Sequence, residues 1–169
     1  SRGVADGMSK GIDFLMKKNK IEVIMGTAKV KAGKKIDVVD ADGKTTEYSA
    51  SNIIIATGAR SRELPNLPQD GKKIIGYRKA MTLDKKPSKM VVVGSGAIGV
   101  EFACFYKTIG TEVTVVEYMP NIVPVEDVEV SKQLEKNFKK SGMKVMTNSS
   151  VEKVDTSGDG CKVTVKTKK

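Results

Sequence analysis

Apolar residues at Val4, Met8, Ile12, Leu15 and Met16 recur at the spacing of one helix face, which predicts an amphipathic helix ending near Lys17-Lys18-Asn19. Short alternating runs follow at Ile21 to Met25, Ala28 to Lys31, Lys35 to Val39 and Thr45 to Ser49, with Gly33 and Asp42-Gly43 supplying turns between them. These predict an antiparallel meander. The run Asn52-Ile53-Ile54-Ile55-Ala56-Thr57-Gly58 has no alternation and predicts a strand buried on both faces. Pro65, Pro68 and Pro87 then punctuate a stretch of weak periodicity, expected to be a crossing between domains with a short helix near Arg78 to Leu83. The boundary is expected at about Asp84, dividing the chain into residues 1–84 and 85–169.

The second half alternates buried strands with helices. Met90 to Val93 predicts a strand, followed by a glycine loop and a helix through Val100, Ala103, Cys104 and Ile109. Glu112 to Glu117 is the next strand, its run Val113-Thr114-Val115-Val116 being β-branched throughout. After a loop bracketed by Pro120 and Pro124, Asp127 begins a helix with Val130, Leu134 and Phe138 on its apolar face, closed by Ser141-Gly142. Met143 to Met146, Val151 to Val154 and Cys161 to Lys166 read as short strands, the last two joined by a turn over Ser157 to Gly160. The pattern predicts an α/β fold. Its core is a three-layer Rossmann-like domain from about Met90, with parallel strands at 90–93, 112–117 and 143–146.

Gly94-Ser95-Gly96-Ala97-Ile98-Gly99 is a GxGxxG placed directly after a predicted strand and at the start of a helix, the context a dinucleotide fingerprint requires. Gly94 allows the tight turn, Gly96 leaves room for a pyrophosphate against the backbone, and Gly99 lets helix and strand pack closely. Phosphates would meet free amides and the positive end of the helix dipole. The acid expected about 20 positions on, at the end of the second strand, is Glu117. Its carboxylate can accept hydrogen bonds from ribose hydroxyls. The next residues, Tyr118, Met119, Pro120 and Asn121, include no base to meet a 2′-phosphate, so NAD is expected over NADP.

Lys and Arg number 30 against 20 acids, a net charge of +10, which raises the question of nucleic acid or an acidic membrane surface. The lysine pairs lie mostly at predicted turns and helix ends, and aromatics make up only 5%, so a solvated surface is the expectation. Cys104 and Cys161 lie too far apart in sequence for a CxxC pair, and Cys104, beside Phe102 and Phe105, is expected to be buried packing. Histidine is absent, which removes the commonest general base and metal ligand from this segment and leaves chemistry to a cofactor or to residues outside it. No apolar run reaches the roughly 20 residues that span a bilayer. The first residues carry no signal pattern and fall within the predicted helix, so the chain is expected to be a piece of a longer protein.

The succession Ile53 to Ala59, Val91 to Glu101 and Thr114 to Glu117 resembles the pyridine-nucleotide disulfide oxidoreductases. Ile98-Gly99-Val100-Glu101 and Val123-Pro124-Val125-Glu126-Asp127 are most similar to their dihydrolipoyl dehydrogenase branch. The resemblance covers nearly the whole chain but only the middle of such an enzyme, with the remnant of an FAD-binding domain ahead of the NAD-binding domain. It implies that Gly94, Ser95, Gly96, Ala97, Ile98, Gly99 and Val100 cradle NAD, that Glu101 holds the nicotinamide carboxamide, that Glu117 holds the ribose and that Val151 touches the adenine. It also implies FAD contacts at Ala28, where the family often has glycine, and at Thr57, Gly58 and Ala59.

By the same resemblance, the whole enzyme would pass electrons from dihydrolipoyl groups of 2-oxo-acid dehydrogenase complexes to NAD through a redox disulfide and FAD. It would be a cytoplasmic homodimer, built on a domain outside this chain. No catalytic residue and no metal ligand are expected within these 169 residues, and the piece alone is expected to be inactive and to hold FAD poorly. Three other readings stay open. Another member of the same superfamily, such as a mercuric reductase, soluble transhydrogenase or NADH oxidase, would share this domain. A stand-alone nucleotide-binding module would need nothing more. Nucleic-acid binding would be steeply salt-dependent.

Overall fold

The structure, a computed structural model, describes residues 2–168. By packing, the chain falls into two compact units, residues 1–58 and residues 59–169.

The first unit opens with α1 (Arg2–Lys18). Its apolar stripe is exposed, with Val4 at 68% and Met8 at 70%. Strands β1 (Thr27–Lys31), β2 (Lys35–Val39) and β3 (Thr45–Ser49) form the expected antiparallel meander in the order β1-β2-β3. The β2–β3 turn is organised by Asp40 rather than Asp42, the Asp40 carboxylate accepting from the amides of Asp42 and Lys44.

Two expected strands do not form. Residues 21–25 are irregular and exposed, and so is the run ending at Gly58, where Ile54 is 90% and Ile55 is 73% exposed. A strand needs a neighbour to pair its N–H and C=O groups, and among the described residues no strand runs beside either segment.

In the second unit, the weakly periodic stretch after Gly58 is anchored by single side chains. Leu67 is buried against Val116 and Val151, the Asn66 amide donates to the Val151 carbonyl at 3.0 Å, and the Tyr106 hydroxyl donates to the carbonyl of Ala80 in α2 (Tyr77–Ala80). That packing is why residues 59–84 belong with the C-terminal unit rather than with the meander.

Strands β4 (Lys89–Val93), β5 (Glu112–Val116) and β6 (Lys144–Met146) form the expected parallel sheet with β5 in the middle. Helix α3 (Ala97–Thr108) connects β4 to β5, and α4 (Val128–Lys140) connects β5 to β6. Val113 and Val115 of β5 bury themselves against Val100, Ala103 and Tyr106 of α3 and Phe138 of α4. Val116 points to the other face and joins Val151 of the hairpin formed by β7 (Ser149–Asp155) and β8 (Lys162–Thr167). Helices on one face and a hairpin on the other make three layers.

Cys104 is exposed, not core. The inward face of α3 runs through Val100, Ala103 and Tyr106 at intervals of three, and the next position after Ala103 is rotated about 100° away from it. Ile109 lies just past the helix and is 42% exposed. Cys161 precedes β8 and is also exposed.

Candidate functional site

The site is built where β4 ends, α3 begins and β5 ends beside them. β4 stops at Val93, and Gly94 turns the chain with φ +92°, a conformation that a side chain would strain. The Gly94 amide donates to the Val116 carbonyl at 2.9 Å, pinning the loop to the end of β5. Gly96 is the N-cap of α3, with φ −62° and ψ 175°, and no side chain caps the helix. The first amides of α3 therefore have no intrahelical partner, and a Cβ built on Gly96 would meet nothing within 4 Å. Gly99 is the opposite case, because a Cβ there would lie 2.2 Å from the Gly94 carbonyl oxygen. The loop thus offers free donors, a helix N-terminus and open space at one glycine, features that suit a dinucleotide pyrophosphate.

Glu117 follows β5 directly and is 6% exposed. Its amide donates to the Met146 carbonyl and its own carbonyl accepts from Ser149, each at 2.8 Å, so both neighbouring segments hold its backbone. Its side chain is equally constrained. Oε2 accepts from the Ser95 amide at 2.8 Å and from the Ser95 hydroxyl at 2.7 Å, and Oε1 accepts from the Met119 amide at 2.8 Å. Ser95 is itself fully buried, and its carbonyl accepts from the Val123 amide at 2.9 Å. Loop and acid are one hydrogen-bonded unit.

The remaining positions expected at the site are less closely joined. Ile98 and Glu101 are exposed on the first turns of α3, and Val100 is turned into the core. Val151 is 6% exposed and committed to packing with Leu67 and Val116. On the flavin side, Ala28 lies in β1 opposite Val38 without a positive φ, whereas Thr57, Gly58 and Ala59 are in irregular, exposed chain, Gly58 with φ +76°.

Two features of the site were not read from the sequence. One is the Ser95 side chain, which serves Glu117. The other is a base: Lys168, beyond β8, places its Nζ 3.6 Å from the centroid of the Tyr118 ring. The adjacent Lys168 ammonium lowers the Tyr118 hydroxyl below the usual phenol range. Lys168 is tied there through its amide to the Asn148 carbonyl at 2.7 Å, and Asn148 through its own amide to the Met119 carbonyl at 3.0 Å. Alternation in β8 could have placed residue 168 near the hairpin's open end, but not over Tyr118.

The chain as a whole is similar to known proteins. The dihydrolipoyl dehydrogenase of Zymomonas mobilis is 43% identical over 160 residues, which are 95% of this chain and 34% of that protein. The dihydrolipoyl dehydrogenase of Rhizobium etli is 44% identical over 92% of this chain and 35% of its own length. The crystal structure of LpdA from Mycobacterium tuberculosis superposes with a TM-score of 0.87 at 32% identity, covering 96% of this chain and 37% of that one. The chain thus spans about a third of the curated relatives it matches. The model of the family described as pyridine nucleotide-disulphide oxidoreductase matches residues 3–169, and the chain belongs to that family.

Proposed function

We propose that this chain is the NAD-binding central part of a dihydrolipoyl dehydrogenase, the flavoprotein that reoxidises dihydrolipoyl groups of 2-oxo-acid dehydrogenase complexes with NAD. The observation that carries this reading is the joining of the Gly94–Gly99 loop to Glu117, in a chain whose relatives are named dihydrolipoyl dehydrogenases. Residues 85–169 are the NAD-binding domain, and residues 1–84 are part of the FAD-binding domain with the crossing between them.

Gly96, Ala97, Ile98 and Gly99 present main-chain donors to the pyrophosphate, Gly94 and Ser95 hold the loop in shape through amides bound to Val116 and Glu117, and Val100 sets the helix against the sheet. Glu101, exposed on α3, orients the nicotinamide through its carboxamide. Glu117 accepts from the adenosine ribose, and Val151 touches the adenine. Ala28, Thr57, Gly58 and Ala59 contact FAD, Ala28 through a backbone that its methyl group leaves free. FAD and NAD, when bound, supply the electron and hydride chemistry; the residues here bind and orient. In the intact enzyme the partners are a second copy of the chain and a lipoyl domain, and the enzyme works in the cytoplasm.

The preference for NAD rests on the charge of Glu117, with the Lys168 ammonium over Tyr118 acting against it. A 2′-phosphate about 4 Å from the Glu117 carboxylate would be repelled by roughly 4 kcal/mol per unit-charge pair at an effective dielectric near 20, before water and salt weaken it. A tenfold preference needs only about 1.4 kcal/mol. Titration calorimetry of the full-length enzyme with NAD and NADP tests the reading: NAD is expected to bind at least tenfold tighter, and equal affinities would remove Glu117 from its role. Lipoamide-dependent reduction of NAD by the same preparation tests the activity.

A further inference from the structure

The Ser95 hydroxyl cannot serve a phosphate. It is buried, and it donates to Glu117 Oε2 at 2.7 Å, the same oxygen that takes the Ser95 amide at 2.8 Å. An ionised carboxylate offers about four acceptor positions, two on each oxygen. Ser95 fills both on Oε2, and the Met119 amide fills one on Oε1. One direction, on Oε1, is left for a ligand.

We infer that Ser95 is a positioning residue for cofactor choice, holding the Glu117 carboxylate in one rotamer so that a single Oε1 direction meets the ribose. This rests on the proposed role of Glu117. With Oε2 committed to the loop, the carboxylate cannot swing aside to relieve its repulsion of a 2′-phosphate. A Glu117 released from the hydroxyl still accepts the Ser95 amide, but gains rotational freedom that weakens its hold on ribose and its rejection of phosphate together. Charge-assisted hydrogen bonds of this kind contribute enough to shift an equilibrium about tenfold.

The test is a double-mutant cycle in the full-length enzyme, measuring kcat and KM with NAD and with NADP. Ser95→Ala and Ser95→Gly are each expected to lower the NAD-to-NADP ratio of kcat/KM about tenfold, with the loss falling on KM for NAD more than on kcat. Glu117→Ala is expected to abolish most of the preference, and Ser95→Ala added to Glu117→Ala is expected to change the ratio less than twofold. If Glu117→Ala removes the preference while both Ser95 variants keep it, the positioning role is overturned and the assignment of Glu117 stands. If Glu117→Ala leaves the preference intact, that assignment fails and the positioning role with it. An undiminished effect of Ser95→Ala in the Glu117→Ala background would show that Ser95 acts through the loop alone, which also overturns the inference.

Discussion

Within one motif, three glycines carry different physical demands, and substitution separates them. At Gly99 an added methyl group meets backbone, the Gly94 carbonyl oxygen at 2.2 Å, which cannot rotate away as a side chain would. Gly99→Ala is therefore expected to destabilise the second unit by about 1–3 kcal/mol, the usual cost of overpacking, measured as a shift in the denaturation midpoint. At Gly96 the backbone is one that alanine adopts freely, and the methyl group projects into open space. Gly96→Ala should leave stability within about 0.5 kcal/mol yet raise the Kd for NAD tenfold or more, because that space is where the pyrophosphate is proposed to sit. Equal binding by wild type and Gly96→Ala would place the phosphates elsewhere. Gly94 and Gly99 were legible in sequence because chain geometry demands them, and Gly96 and Glu117 because a dinucleotide fingerprint places a glycine and an acid at those offsets. The Ser95–Glu117 bond spans 22 positions, and only the folded sheet brings those residues together.

Helices and turns were read correctly where the signal is itself local. Asp127 was expected to start α4, and its carboxylate does accept from the Glu129 amide at 2.8 Å as an N-cap. Asp127→Ala is expected to cost about 1 kcal/mol, visible as a lowered midpoint, and Asp127→Ser should restore most of it. Strands were harder. Ile53 to Ala56 has the composition of a buried strand, yet a strand exists only with a neighbour, and composition does not supply one.

In the loop before α2, a carboxylate again organises local backbone. Asp70 accepts the amides of Lys72, Lys73 and Ile74 at 2.8 to 2.9 Å. These backbone donors, Lys72 first, hold its carboxyl below the usual range. A depressed carboxyl stabilises the turn above the unfolded pKa, about 3.9, and that contribution is lost as pH falls through the lower folded value. Side-chain carbon shifts of Asp70 followed by NMR should titrate below about 3.9; a midpoint above it would mean that the turn is open in solution.

At the scale of the whole chain, the two units differ in what holds them. Every buried residue among the described ones lies after Gly58, from Leu67 to Val151, and none lies in α1 or the meander. The first unit instead exposes Val4, Met8, Met25, Ile54 and Ile55, with Met25 at 81% and Ile54 at 90%. Its meander is reinforced by pairs such as Lys35 to Glu47 at 2.8 Å, but exposed ion pairs contribute about 0–1 kcal/mol and cannot replace a core. Apolar surface of this extent marks a face made to be covered. Under the proposed function, other parts of the same enzyme cover it. The 169-residue chain expressed alone should therefore show two levels of protection in hydrogen exchange. Amides of β4, β5 and α3 should exchange only through cooperative unfolding, and those of β1 to β3 should exchange through local opening at least a hundredfold faster, a gap of about 2.7 kcal/mol. Limited proteolysis should cut first before Gly58. In the full-length enzyme the protection of β1 to β3 should rise towards that of β4 and β5. Equal protection of both units in the isolated chain would show that the first unit holds itself together, and the covering of its apolar face would then need another explanation.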